Sequence, residues 1–199
     1  MSARPKSSGA LQFSLFGAQA TEPVLDDLDG VLLGGGHWAR LGGTARLSIV
    51  VTDMWRAVAL VGEFTARDVA AQTAGVEPAH QGVVARTAFC AVLSPQAGRW
   101  TRGANQGVPA GLALTAGGLR LWAIAAGRAD GAGYLMSTAA AGDAVHLIAG
   151  AQLARLGLAA VSLTHRPGPG WRITSVKRLR RLAELLGEPP EGADDDWPC

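Results

Sequence analysis

The stretch Leu28–Gly36 reads LDGVLLGGG, and it decides the fold because a helical run stops there in three consecutive glycines. The apolar positions from Val24 to Gly34 recur at helical spacing. After the glycines, His37–Leu41 predicts a short strand, and a Gly-Gly-Thr turn leads into Ala45–Val51, a second strand with three consecutive β-branched residues. Helical spacing returns from Trp55 to Ala66. The first half is therefore predicted to be helix, strand, strand, helix.

The second half repeats this kind of pattern. We predict a helix over Thr115–Gly127, a strand over Tyr134–Thr138 and a helix from Asp143, its N-cap, to Leu156. A hairpin follows over Ala159–Thr174, because a Gly-Pro-rich turn separates two apolar runs. The last helix is expected over Ser175–Leu186 and ends before a glycine. Helices mixed with short antiparallel strands predict an α+β fold.

This order of elements resembles the half-domain of the LAGLIDADG homing endonucleases, whose helix ends in an acid-glycine pair. Leu28–Gly36 matches that helix, although Gly35 stands where the acid belongs. Asp130-Gly131 is the best acid-glycine match in the second half. The resemblance implies two tandem α+β half-domains whose strands form a saddle over a DNA groove. The second half departs from the family by one strand, because Tyr134–Thr138 runs almost directly into the next helix.

A winged helix over residues 115–187, behind an α/β N-terminal half, is the alternative fold. In that arrangement the helix that begins at Asp143 enters the major groove, and the hairpin over Ala159–Thr174 is the wing. Arg166 would lie at the tip of the wing, with Arg172 beside it. Both folds bring a basic hairpin close to DNA.

Composition shifts divide the chain into four parts. Residues 1–23 are predicted to be a flexible tail, because they are rich in Ser, Gly, Ala and Pro. Residues 24–111 form the first half-domain, with a glycine-rich linker over 101–113, and residues 112–187 form the second, basic half-domain. Residues 188–199 are expected to be an acidic tail.

The tail contains Gln12–Phe16, which reads QFSLF. This segment resembles the peptide that bacterial replication and repair proteins insert into the β sliding clamp of DNA polymerase III. Leu15 and Phe16 are adjacent apolar anchors for one pocket, and Gln12 can donate and accept hydrogen bonds at a second. The resemblance implies that the clamp is a partner; packing of the segment on the domain is the alternative.

Charge is distributed unevenly, although the net charge is only +2. Between Arg99 and Arg181 there are 11 basic and 2 acidic residues, and six acidic residues without any basic one follow. Such a distribution favours a nucleic-acid partner, here duplex DNA. The candidate DNA-binding residues are Arg99, Arg102, Arg166, Arg172, Lys177, Arg178, Arg180 and Arg181.

Catalysis is uncertain from the sequence, and absence of activity is the favoured interpretation because one of the two LAGLIDADG acids is missing. Metal-dependent cleavage needs acids close enough to hold Mg²⁺. Asp130 is the candidate catalytic and metal-binding residue, although a turn residue before Gly131 is the simpler interpretation. Asp26 and Asp29 are expected to face solvent near the start of the first helix. No cofactor is expected unless the protein is an endonuclease, which would need Mg²⁺.

Several classes are disfavoured. The two cysteines, Cys90 and Cys199, form neither a disulfide framework nor a zinc pattern. The first twenty residues are too polar for a good secretory signal, and no apolar run is long enough for a membrane span. We therefore expect a cytoplasmic, nucleoid-associated bacterial protein without a membrane partner.

Three hypotheses follow from these patterns. The first is a DNA replication or repair accessory that docks on the clamp and binds DNA through its basic C-terminal half. The second is a clamp-directed, Mg²⁺-dependent DNA endonuclease. The third is a sequence-specific DNA-binding regulator, in which Gln12–Phe16 only packs on the domain.

Overall fold

The computed structural model describes residues 17–18, 21–75, 81–103, 105–139, 144–165 and 168–198. The fold is α+β, as predicted, and its described part contains six α-helices and three antiparallel sheets. The clamp-like residues Gln12, Leu15 and Phe16 lie outside the described residues, and so does Arg166.

The first unit contains a four-stranded antiparallel sheet, which we call sheet A, with strand order β1-β2-β4-β3. A 3₁₀ turn over Leu25–Leu28 precedes α1, and another over Ala91–Leu93 precedes α3. Its elements are α1 (Asp29–Leu33), β1 (His37–Leu41), β2 (Thr44–Val51), α2 (Met54–Thr65), β3 (Ala71–Gly75), β4 (Val83–Thr87) and α3 (Ser94–Arg99).

The second unit follows a two-stranded connection, sheet B, formed by β5 (Thr101–Arg102) and β6 (Asn105–Gln106), and has its own four-stranded sheet. This sheet, sheet C, has the strand order β7-β8-β10-β9. Its elements are α4 (Ala116–Ala126), β7 (Gly127–Ala129), β8 (Tyr134–Ser137), α5 (Ala144–Arg155), β9 (Val161–Leu163), β10 (Gly170–Ile173) and α6 (Val176–Leu186).

The two units are a structural repeat. Each runs helix, strand, strand, helix, strand, strand, helix, and each sheet places its fourth strand between its second and third. The starts of β1, β2, α2 and β3 recur 90 residues later at β7, β8, α5 and β9. The same topology, with corresponding elements 90 residues apart, shows that the two units have the same architecture.

The sequence prediction of one missing strand in the second half is wrong. The missing strand is β7, which begins directly after α4 and pairs antiparallel with β8. Its residues are Gly, Arg and Ala, none of which is typical of strands, so its pairing partner determines its structure. For the same reason the small residues of β3 carried no strand signal. Residues 112–187 thus form a four-stranded α+β unit and not a winged helix.

A close helix pair joins the units. A methyl group built on Gly30 of α1 would lie 1.8 Å from the backbone oxygen of Gly118 in α4. At the other end, a methyl group on Gly34 would lie 3.0 Å from the Cβ of Ala125. The pair therefore packs with its backbones in near contact, which only glycine and alanine permit.

A buried charge network reinforces the contact between α1 and α4, which we call the helix seam. Asp27 accepts bonds from Arg67 at 2.7 Å and from the hydroxyl of Thr115, the N-cap of α4, at 2.6 Å. Glu63 bridges Arg67 at 2.8 Å and Arg120 of α4 at 2.7 Å. The side chains of Asp27 and Arg67 are 4% and 2% exposed, so each charge is desolvated and depends on its partner.

The C-terminal segment departs from the expected acidic tail. Residues 194–196 form a 3₁₀ turn, and Asp196 pairs with the buried Arg56 at 2.9 Å. Arg56 also donates to the carbonyl oxygens of Ile124 and Gly127 at the end of α4. Trp197 is 6% exposed and donates to the carbonyl oxygen of Gly187 at 2.9 Å. The segment therefore packs across both units.

Candidate nucleic-acid interface

Each sheet has one face toward the helices and one face away from them. In β2, Leu47, Ile49 and Val51 are buried in the core, so the alternating residues Arg46 and Ser48 lie on the other face. In sheet C, Met136 belongs to the core and Leu135 does not. We call the two faces that point away from the helices the outer faces.

On sheet A, one row of side chains crosses all four strands of the outer face. The strand registers pair His37 with Ser48, Ser48 with Arg86, and Arg86 with Gln72. Adjacent strands lie about 4.8 Å apart, so the row spans roughly 14 Å. It presents an imidazole, a guanidinium and a carboxamide, which can donate to or accept from base edges and phosphates.

Arg46 lies beside this row. Its guanidinium carbon is 4.5 Å from the ring centre of Phe89, a cation–π arrangement, and its Nε is buried without a hydrogen-bond partner among the described residues. Arg46, Gln72, Arg86 and Phe89 line a shallow depression of about 230 Å³. The Phe89 ring and the surrounding backbone therefore restrict the conformation of the Arg46 side chain before any ligand is bound.

On sheet C the corresponding row also crosses four strands, but only two of its side chains are polar. Arg128 pairs with Leu135, Leu135 with Arg172, and Arg172 with Val161. Leu135 is fully buried although it is outside the core cluster, and the strand registers place an arginine on each side of it. Two arginines therefore also mark the outer face of sheet C.

The two sheets begin side by side. The C-terminal ends of α1 and α4 meet at Gly34 and Ala125, and β1 and β7 start within three residues of those ends. The Cβ of Ala139, just after β8, is 3.6 Å from a methyl group built on Gly35. The first strands of the two sheets, β1 and β7, therefore both start next to the adjoining ends of α1 and α4.

Asp130 lies away from the end of α4. It follows β7 in the turn to β8, where its backbone NH donates to Gly133 at 3.1 Å and its Oδ1 accepts from the NH of Ala132 at 3.3 Å. Its Oδ2 accepts from the Nε of Arg172 at 2.8 Å. Within the described ranges, no group of three acidic, histidine or cysteine residues could hold a metal ion. The catalytic and metal-binding role of Asp130 stays a prediction.

The structure corrects the expectation for Asp29, which is 2% exposed instead of facing solvent. The indole NH of Trp100 donates to it at 2.6 Å, and Arg99 pairs with it at 2.9 Å. Burial raises the pKa of the Asp29 carboxyl above its ordinary value, although the hydrogen bond from Trp100 and the charge of Arg99 act against the shift. Asp26, the other expected solvent residue, is exposed and pairs with Arg99 at 2.7 Å.

The predicted DNA-binding residues therefore separate into groups. Arg99 is engaged by acids, and Arg102 donates to carbonyl oxygens of its own loop, including that of Val108 at 3.3 Å. Arg172 is on the outer face of sheet C and pairs with Asp130. The remaining four described candidates lie on α6, on the helical side of sheet C: Lys177, Arg178, Arg180 and Arg181.

Sequence reasoning missed the outer-face residues His37, Arg46, Gln72, Arg86 and Arg128. A signal for one of them existed, because Arg46 lies between two apolar residues in the predicted strand Ala45–Val51. Clusters of positive charge along the chain point to α6 instead. Charges that a sheet assembles from separate strands leave no such cluster.

Comparison with known proteins adds no name to this site. No protein-family model matches the chain, and no curated protein matches it. Among the described helices, none is both long and apolar enough to cross a membrane.

Proposed function

We propose that this chain is a DNA-binding accessory protein of bacterial replication or repair, which docks on the β sliding clamp through Gln12–Phe16 and holds duplex DNA against its basic surface. The observation that carries the proposal is the repeated unit with an arginine pair on each outer face, Arg46 with Arg86 and Arg128 with Arg172. The repeated topology also supports the LAGLIDADG resemblance, which implies that the strands face the DNA.

The outer face of sheet A is suited to a groove of DNA. Its row of about 14 Å is similar to the width of the B-form major groove, about 12 Å. Arginine pairs with guanine through two donors, and glutamine pairs with adenine. Arg86 and Gln72 are neighbours in the same row, so base contacts and phosphate contacts are available from one surface.

Binding without cleavage is the form of the proposal that the residues support. Gly35 occupies the acid position of the first motif, and α4 ends in Ala125-Ala126 at the place where the two helices meet. Asp130 uses its carboxylate for Arg172 and for its own turn. The endonuclease alternative predicts Mg²⁺-dependent nicking that disappears in Asp130→Ala.

The clamp part of the proposal is tested with purified sliding clamp from the host and the full chain. The Leu15→Ala, Phe16→Ala variant is expected to bind at least tenfold more weakly, about 1.4 kcal/mol, because two apolar anchors are lost. Leu11→Ala, Phe13→Ala is the matched control, since it removes the same side-chain types outside the motif positions. Equal affinities for both variants, or no binding by the unaltered chain, would refute clamp docking.

The DNA part is tested by anisotropy of a short labelled duplex over a series of salt concentrations. Arg46→Ala, Arg86→Ala is expected to weaken binding and to reduce the magnitude of the salt slope by up to about 1.8, since each lost phosphate contact contributes about 0.9. Arg40→Ala, Arg155→Ala removes the same charge from the helical side and is the control. Equal losses in both variants would mean that only net charge matters. A sharp preference for one sequence would favour the regulator hypothesis.

A further inference from the structure

The cations of α6 form a second basic surface, distinct from the outer faces. α6 packs its apolar side, Leu182, Leu185 and Leu186, into the core against α4. The N-terminal end of α6 and Gly157, just after α5, line a groove of about 750 Å³. We call this surface the α6 groove; its cations are Lys177, Arg178, Arg180 and Arg181.

The α6 groove lies on the helical side of sheet C. Trp171 of β10 points to that side, because its ring stacks on His146 of α5 at 5.0 Å and its indole NH donates to the His146 carbonyl oxygen at 2.8 Å. Arg172, the next residue, points to the outer face. The sheet and its helices therefore separate the groove from the outer-face arginines.

The groove cations have little internal compensation. Lys177, Arg178 and Arg180 are exposed and form no ion pair among the described residues, and Arg181 approaches Glu184 only at 3.7 Å. Arg99, Arg172 and Arg56, by contrast, each pair with a carboxylate at 2.9 Å or less. The cations of α6 are available to an external anion.

Their placement is unfavourable for the helix alone. Lys177 and Arg178 lie in the first turn of α6, near the positive end of the helix dipole, and no acidic residue compensates them there. The positive end of the dipole repels each of these charges. A bound anion would convert this repulsion into attraction. Charges at positions i, i+1, i+3 and i+4 extend over about 6 Å of helix, which suits two or three phosphates of one strand.

We propose that the α6 groove binds the phosphate backbone of a second duplex segment, so that one chain holds two DNA segments at once. The proposal rests on the proposed function, in which the outer faces hold the first duplex. Duplex DNA has a persistence length of about 150 base pairs, so a short duplex does not bend round to both sides of the molecule. The groove contains neither aromatic nor carboxamide side chains, and its cations are suited to contacts with phosphates.

In the test, the full chain is first bound to a duplex that is fixed on beads. The measured quantity is the amount of a second, labelled duplex of about 20 base pairs, two helical turns, that the bound chain captures. Lys177→Ala, Arg178→Ala, Arg180→Ala is expected to lower capture at least fivefold while its affinity for one duplex in solution changes less than twofold. Lys177→Arg, Arg178→Lys, Arg180→Lys keeps every charge and is expected to retain capture.

Four outcomes would overturn the proposal, and they are distinguishable. If the unaltered chain binds one duplex but captures no second, the second site is absent. If the alanine variant captures normally, the second site is not the α6 groove. In both cases the proposed function stands. If the alanine variant loses single-duplex binding while Arg46→Ala, Arg86→Ala keeps it, α6 is the primary surface and the outer-face proposal fails. If the unaltered chain binds no duplex, both proposals fail together.

Discussion

Replacing Gly30 by alanine tests the helix seam on which the two-unit architecture depends. The added methyl carbon would lie 1.8 Å from the carbonyl oxygen and 2.6 Å from the carbonyl carbon of Gly118, both of which are backbone atoms that cannot rotate away. Ordinary contact begins at 3.4 Å, so α1 and α4 must separate locally by roughly 1.6 Å. Overpacking of this kind costs about 1–3 kcal/mol, and the loss of neighbouring contacts adds to it.

We therefore expect Gly30→Ala to lower the free energy of unfolding by about 3 kcal/mol. The measurement is a denaturant titration in which the m value of the variant is compared with that of the unaltered chain. Gly62→Ala is the matched control. Gly62 is also in a helix, but nothing lies within 4 Å of its added methyl group, so its substitution is expected to stabilise by about 0.5–1 kcal/mol. If Gly30→Ala behaves like Gly62→Ala, the helices do not approach as closely as described.

Three further results are expected from the same unfolding assay. Arg67→Met leaves the buried Asp27 carboxylate unpaired and should cost about 3–5 kcal/mol; a loss below 1 kcal/mol would mean that the carboxylate is solvated. Trp197→Ala should cost about 3 kcal/mol because the ring is buried, whereas a solvated tail predicts no change. Asp29→Asn should gain stability relative to the unaltered chain as pH rises. The folded pKa of Asp29 is raised, so its contribution is full below the ordinary value of 3.8 and is lost as pH passes through the raised pKa. A stability difference that does not change with pH between about 3 and 7 would contradict the assigned burial cost.

The elements that the sequence predicted well were those with strong periodicity or clear stops. β1, β2, α2 and α5 have apolar faces bounded by glycine or by an N-cap residue, and their observed ends lie within two residues of the prediction. β3 and β7 were missed because their small residues have no intrinsic preference and become strands only by pairing with β4 and β8. Local patterns cannot reveal a strand that is specified by its neighbour.

The candidate site was predicted less completely, for a related reason. The α6 cations are close together in the sequence and form a visible basic cluster, whereas His37, Arg86 and Gln72 meet only through the registers of sheet A. Asp29 was misjudged because a carboxylate near a helix start normally faces water. Its burial depends on Arg99 and Trp100, which are 70 or more residues away in the chain.

The near contact of Gly30 with Gly118 also bears on how such a chain could arise and be divided. A repeat of about 90 residues whose two copies meet along one helix pair has the form of a fused homodimer. Each copy has its own sheet, but without the other copy its helix of the seam, α1 or α4, would expose its packing surface to solvent. Residues 1–111 and 112–199, produced as separate polypeptides, should therefore reassemble when mixed. The chain thus offers a natural split point, at which the two-unit fold can be made conditional on the meeting of two fragments.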